Sequence, residues 1–235
     1  TLAQVYTSIS IDIDHFDDKL YILSKKMVEM IVGLGEYLNL SKNRLPAETD
    51  LGQYLSLVLE TTRHHSLVIS GMSLQFWCSV LRVEKLNGKE QIEKLLPQLL
   101  ELAAERCIKF EDVSEEHVSR QFLNMDFDTA PDTQVFLGNY RRFMEDIVRL
   151  IVCRLPADSM AYLENRMDLF FSSELGWQSL NSPKLEYAGN PAYFLAYSQF
   201  ILVEAALRGV SRWKIWYNEP DKPQVLQKLS IIIER

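Results

Sequence analysis

The sequence predicts an all-α protein, a stack of helical hairpins wound as an α–α superhelix. Three observations predict it. Apolar residues recur at steps of three and four through most of the chain, and no segment sustains strand alternation. Nine glycines among 235 residues are few for a β-sandwich full of turns or an enzyme rich in loops. The long, very apolar segments begin near residues 16, 66, 132 and 191, with shorter amphipathic ones between them. That spacing, about fifty to sixty-five residues, exceeds the ~40–47 residues of a standard helical-hairpin repeat, and loop insertions account for the excess. One hairpin cannot cover its own apolar face, so neighbours stack. A compact bundle competes, but at least seven helices in hairpin order favour the stack.

The elements follow in order. From Phe16 to Leu40, Leu20, Leu23, Met27, Met30, Ile31, Leu34, Tyr37 and Leu38 mark one face of a helix. Asp12 or Asp14 caps it and Pro46 lies beyond its end. Glu48 to Arg63 places Leu51, Leu55, Val58 and Leu59 on one side. Ser66 to Arg82 is apolar almost all round, as expected of a helix packed between neighbours. Asn87-Gly88 ends that region, and a fourth helix from Lys89 contains Pro97, which should kink or interrupt it. A polar connection, Glu111 to Ala130, holds a short helical turn around Val118 to Leu123. A long helix begins near Pro131 and Asp132 and closes before Pro156. Asp158 to Phe171, a breaker-rich loop "NSPKLEYAGNP", a helix from Ala192 to about Tyr217, and a last helix from near Gln224 complete the chain. The hairpins expected are 1–47, 48–88, 89–157, 158–218 and a partial 219–235, in one helical-repeat segment. Thr1 in place of Met and the closing "LSIIIER" suggest a piece of something longer.

Composition narrows the function. A net charge of −7 argues against a free-standing nucleic-acid module, because phosphate binding needs a concentrated cationic face. Basic protein surfaces fit better as partners. Cys78, Cys107 and Cys153 are scattered and never spaced as CxxC, so neither a disulfide framework nor a zinc site is expected, and a reducing compartment fits. One sequon, Asn39-Leu40-Ser41, is present without any secretory signal. The most apolar stretch, Phe194 to Val203, is too short to span a bilayer.

No motif carries catalysis. Adjacent His64 and His65 point to different faces of a helix; with His15 and His117 they read as solvated or helix-end residues. "DIDHFDD" from Asp12 has Asp17 and Leu23 where a calcium loop needs Gly and Glu, so helix capping explains the aspartates. "GLGEYL" from Gly33 is half a dinucleotide fingerprint, placed inside a helix with Leu38 at the third glycine position. No Walker loop, nucleophile elbow or HExxH occurs. We therefore expect no enzyme, no metal and no cofactor.

The long helix around Arg141-Arg142 is the most telling stretch. Phe136, Tyr140, Phe143, Ile147, Leu150 and Ile151 should face the core, leaving Arg141, Arg142, Glu145, Asp146 and Arg149 on the wetter side. Spacing pairs Arg141 with Glu145, Arg142 with Asp146 and Glu145 with Arg149, each worth only ~0.2–0.5 kcal/mol. The plain reading is a self-neutralised helix surface. The functional reading puts Arg141, Arg142, Arg149 and Arg154, with the acidic Asp126 and Asp128, on a partner-binding surface, where guanidinium groups suit phosphates or carboxylates.

This stretch, Asp126-Phe127-Asp128 with Phe136, Arg141, Arg149 and Leu150, resembles the exportin-five class of karyopherin-β nuclear transport receptors. "DDKLYILSKKMVEMIVGLGEYL" and the hairpin from Asp50 to Arg82 are similar to the elements that precede it there, and the wording is nearest to fungal members. The resemblance covers most of Asp17 to Arg212. It implies an internal fragment of a solenoid of HEAT/armadillo-like hairpins. It further implies a receptor shuttling between nucleus and cytoplasm. Such a receptor carries cargo (protein, phosphorylated protein among it, or structured RNA) with Ran-GTP past nuclear pore proteins. GTP is bound and hydrolysed by Ran, not by this chain. The resemblance leaves the cargo, the concave helices and the role of 111–130 unidentified. A helical-repeat scaffold or adaptor for complex assembly is the alternative, and an all-helical enzyme or regulator the third reading.

Overall fold

The computed structural model describes residues 2–9, 11, 15–38, 50–83, 89–174, 176, 191–212 and 222–234. Asp12 and Asp14, the sequon, Pro46, Asn87-Gly88, the loop 181–190, Tyr217 and Pro220 lie outside the described residues. Within them the chain is all-α, as its periodicity demands: α1 (Leu2–Ser8), α2 (Asp18–Leu38), α3 (Leu51–Arg63), α4 (Leu67–Leu81), α5 (Lys89–Arg106), a single 3₁₀ turn (Phe110–Asp112), α6 (Val118–Asp126), α7 (Ala130–Arg154), α8 (Pro156–Ser172), α9 (Pro191–Arg212) and α10 (Lys222–Ile233). No strand occurs among the described residues. The helices pack against each other, and the fold is that of an all-α helical-repeat segment.

Two compact units result. The first comprises residues 1–99 and 114–140, the second 100–113 and 141–235.

In the first unit α4 is the central helix. Its mean character is apolar on every side, and Leu67, Ile69, Leu74, Trp77 and Cys78 are all but sealed from solvent. Asp50 and Ser66 start α3 and α4 by accepting from the amides of Gln53 (2.9 Å) and Ile69 (3.2 Å). A buried hydroxyl chain then pins the hairpin. Trp77 Nε1 donates to Thr62 Oγ1 at 3.0 Å, Thr62 bonds Ser73 at 2.8 Å, and Ser70 Oγ donates to the Thr62 carbonyl at 2.7 Å. Such a core helix tolerates polar atoms only because each has a partner.

The buried face of α2 differs from the one its leucines suggest. Tyr21, Ser24, Met27, Val28, Ile31, Val32 and Gly35 face the core, whereas Leu20, Leu23, Met30 and Leu34 are exposed. Gly35 decides the register. A Cβ there would sit 2.2 Å from Tyr54 Oη and 2.5 Å from the Phe76 ring. Tyr54 Oη meanwhile donates to the Ile31 carbonyl at 2.9 Å. The glycine of the "GLGEYL" stretch thus serves helix packing and no nucleotide. Asp17 caps α2, accepting from Lys19 N at 2.8 Å.

α5 runs unbroken through Pro97. The proline stands on an exposed flank, where water can serve the carbonyl it displaces one turn back. The polar connection 111–130 is ordered: α6 extends to Asp126, three residues past the turn expected, with His117 Nδ1 accepting from Ser119 N at 3.2 Å at its start.

In the second unit, Met144, Ile147, Val148, Ile151 and Val152 of α7 form the buried line. Phe143 and Leu150, expected in that line, are half-buried beside it. α8, α9 and α10 meet at Met160, Leu163, Ala206 and Ile232 so closely that the seam admits no water. Arg166 of α8 bridges Gln199 of α9 (3.0 Å) and the Ala104 carbonyl of α5 (3.4 Å), and Lys228 of α10 meets Glu164 at 2.7 Å.

Candidate partner-binding surfaces

The residues singled out in the sequence fall into two sets, one in each unit, and their fates differ.

Asp126 ends α6 with its carboxylate only 3% exposed. Lys25 Nζ reaches it at 2.5 Å and Tyr21 Oη donates to it at 2.7 Å. Tyr21 Oη also bonds Ser66 Oγ at 2.7 Å, and the Lys25 ammonium lies 4.2 Å from the Tyr21 ring centre. Burial first, and the neighbouring Asp126 charge after it, push the Tyr21 phenol far above its ordinary value, so it stays a donor. This knot ties α2 to α6 and to the head of α4. Asp126 is therefore bound up in the fold.

Asp128 has the opposite setting. It is exposed and stands on the rim of an open cleft of ≈ 500 Å³ where α6 gives way to α7. Phe127 and Phe136 line the cleft with ring centres 5.0 Å apart. Thr129 and Asp132 close the first turn of α7 on each other: the hydroxyl donates to the carboxylate at 2.6 Å and accepts from the Asp132 amide at 3.3 Å.

In the second unit the arginine doublet splits. Arg141 turns back to Glu111, each of its two terminal nitrogens 3.2 Å from a carboxylate oxygen, with its side chain 19% exposed. Sequence spacing paired it with Glu145, but a half-buried guanidinium gains more from a two-point contact than from a flexible helical neighbour. Arg142 is exposed. Arg149 pairs with Asp146 three residues back at 2.7 Å, not with Glu145. Glu145 sits half-buried between charges; burial chiefly, with Glu204 and Asp146 adding, raises its pKa against the pull of Arg208 and Arg141.

The structure adds Arg212, which the sequence reading missed. α9 crosses α7 at Gly209, where a Cβ would stand 2.7 Å from the Arg149 carbonyl and 2.8 Å from Val152 Cβ. Cys153 Sγ donates to the Gly209 carbonyl at 3.2 Å. Burial raises the pKa of the Cys153 thiol at this crossing, against the electrostatic pull of Arg149, Arg212 and Arg154. Only the small residue at 209 hints at this in the sequence, and it lies more than fifty positions from Arg154.

Cys107 is fully buried, and burial pushes its thiol up to about 12, which makes it a core residue and not a nucleophile. His64 Nδ1 accepts from Ser66 N at 2.9 Å in the α3–α4 turn. Among the described residues no group of His, Cys, Asp and Glu could hold a metal, and no helix is long and apolar enough to cross a membrane.

Comparison with known proteins now decides the family. The family profile described as Exportin-5 matches residues 18–235. The chain belongs to the Exportin-5 family. It is similar to Protein MSN5 of Saccharomyces cerevisiae, 36% identical over 238 residues, covering 98% of this chain and 19% of that protein. An uncharacterised Schizosaccharomyces pombe protein, C328.01c, is 38% identical over 235 residues, covering 95% of this chain and 19% of that protein. Exportin-5 of Dictyostelium discoideum is 27% identical over 158 residues, 66% of this chain and 14% of that protein. The chain thus spans about a fifth of the length of the two yeast relatives it matches. The Exportin-5 family match begins at the first residue of α2 and spans both candidate surfaces.

Proposed function

We propose that this chain is a segment of a nuclear export receptor. The receptor binds cargo together with Ran-GTP, crosses the pore past nuclear pore proteins, and shuttles between nucleus and cytoplasm. The observation that carries the reading is the family match across residues 18–235, on a helical-repeat fold. GTP chemistry belongs to Ran, so the segment itself acts as a binding scaffold without catalysis or cofactor.

Within it, Arg142, Arg149, Arg154 and Arg212 are the cargo-facing candidates. Three of them bear electrostatically on the Cys153 thiol at the α7–α9 crossing, and Arg142 lies exposed on the same α7. Guanidinium groups suit phosphate and carboxylate oxygens, so protein cargo with phosphorylated or acidic segments fits this surface. The chain's net charge of −7 makes structured RNA the less favoured cargo. Arg141 and Asp126 are tied to other elements of the fold and support these surfaces more than they contact cargo, whereas Arg149, 14% exposed, is paired with Asp146 of its own helix, a partner that a cargo anion can replace.

The test is cargo binding by the full-length parent with Ran-GTP against Ran-GDP, using one phosphopeptide and one structured RNA at two salt concentrations. The reading expects binding that requires Ran-GTP and weakens when Arg142, Arg149 and Arg212 become Ala. Binding indifferent to Ran's nucleotide would remove the export reading and leave a helical-repeat scaffold for complex assembly. GTP-dependent binding that ignores the substitutions would move the cargo surface elsewhere.

A further inference from the structure

The cleft between α6 and α7 has a chemistry of its own. Its wall is aromatic: Phe127 and Phe136 are half-buried and tilted 38° to one another, and the buried Tyr140 ring backs Phe136 from inside the fold at 6.0 Å. Val135, 67% exposed, extends that wall toward solvent, where a valine in a long amphipathic helix would ordinarily turn inward. The rim is anionic. Asp128 and Asp132 are both exposed, while the third carboxylate, Asp126, is already neutralised by Lys25. At ≈ 500 Å³ the open space suits one long side chain and part of its backbone.

We propose that this cleft receives an arginine side chain presented by a partner protein. The two halves of the lining ask for different things, and one residue type meets both. An aromatic wall attracts a flat apolar stem or a cation over a ring face. A pair of carboxylates attracts a positive charge and repels phosphate, which excludes nucleic acid and anionic lipid. Arginine carries a delocalised, weakly hydrated cation on a three-carbon stem, and its planar fork stacks on rings and bonds carboxylates at once. Lysine offers the charge without the stacking. Neither the surface arginines of the second unit nor Ran enters this argument.

The test uses the full-length parent without Ran, with Val135 replaced by photoreactive benzoylphenylalanine. The probes are a fluorescent Gly-Ser peptide bearing one arginine, the same peptide with citrulline, and the same with lysine. We expect cross-linking by the arginine peptide to exceed that of the uncharged citrulline peptide by about tenfold at low salt, with lysine between them. The double substitution D128N/D132N should erase that preference. Both residues are exposed, and an asparagine amide oxygen at position 132 still accepts from the Thr129 hydroxyl, so the fold stays intact. A circular dichroism melt of the double variant checks this. Equal labelling by arginine and citrulline peptides, or a preference that survives D128N/D132N with the melt unchanged, would overturn the proposal. Neither outcome touches the export reading, which is judged by dependence on Ran's nucleotide.

Discussion

Asp126 and Arg142 look alike in the sequence: each is a charged residue beside an aromatic, at a helix boundary or on a helix face. In the first unit Asp126 is buried, and in the second Arg142 is displayed. Asp126 is 3% exposed with two polar partners from α2, a helix about a hundred positions earlier. Arg142 is exposed on α7. The difference teaches that a charge used for building the fold and a charge available to a partner are separated by burial and by long-range partners, neither of which local spacing reveals.

Substitutions can break this contrast, beginning with the largest effect. Asp126→Ala leaves Lys25 and Tyr21 facing an empty carboxylate site, and we expect a loss of about 3–5 kcal/mol in urea unfolding of the first unit. A smaller loss for the double variant Lys25→Ala/Asp126→Ala would identify stranded charge as the cause. Gly209→Ala forces a methyl into the Arg149 carbonyl and Val152, costing about 1–3 kcal/mol by overpacking. If the α7–α9 crossing aligns the arginines, it should also weaken phosphopeptide binding. Arg141→Ala breaks the contact with Glu111, a partly exposed pair, and should cost about 1 kcal/mol. Arg142→Ala should leave stability within about 0.5 kcal/mol and alter only cargo affinity. A stability loss at Arg142 as large as at Asp126 would erase the comparison.

Much of the architecture was legible. The order and approximate limits of most helices follow from apolar periodicity and from prolines, because those signals are local; the short α1 (Leu2–Ser8) went unread. Which side of a helix is buried was not. α2 carries apolar residues on two sides, Leu20, Leu23, Met30 and Leu34 on one and Tyr21, Val28, Ile31 and Val32 on the other. Periodicity detects both stripes equally. Gly35 breaks the tie, since only the face bearing it can approach Tyr54 and Phe76. On α7 the ion pairs at i,i+4 were reasonable from spacing, yet Arg141 found Glu111 thirty residues upstream. Asp128 was legible as a surface residue, but its cleft was not. The cleft depends on Phe127 and Phe136 meeting across the turn between two helices.

The Asp126 knot also bears on the cost of recognition. Two residues before Asp128 the chain is held by Lys25 and Tyr21, and one residue after it Thr129 and Asp132 clasp each other. The cleft rim is therefore fastened on both sides before anything arrives. A ligand entering it has little backbone freedom to freeze, and ordering a single loose residue would otherwise cost roughly 1–2 kcal/mol. Association should be fast and nearly rigid, with affinity expressed in how slowly the guest leaves.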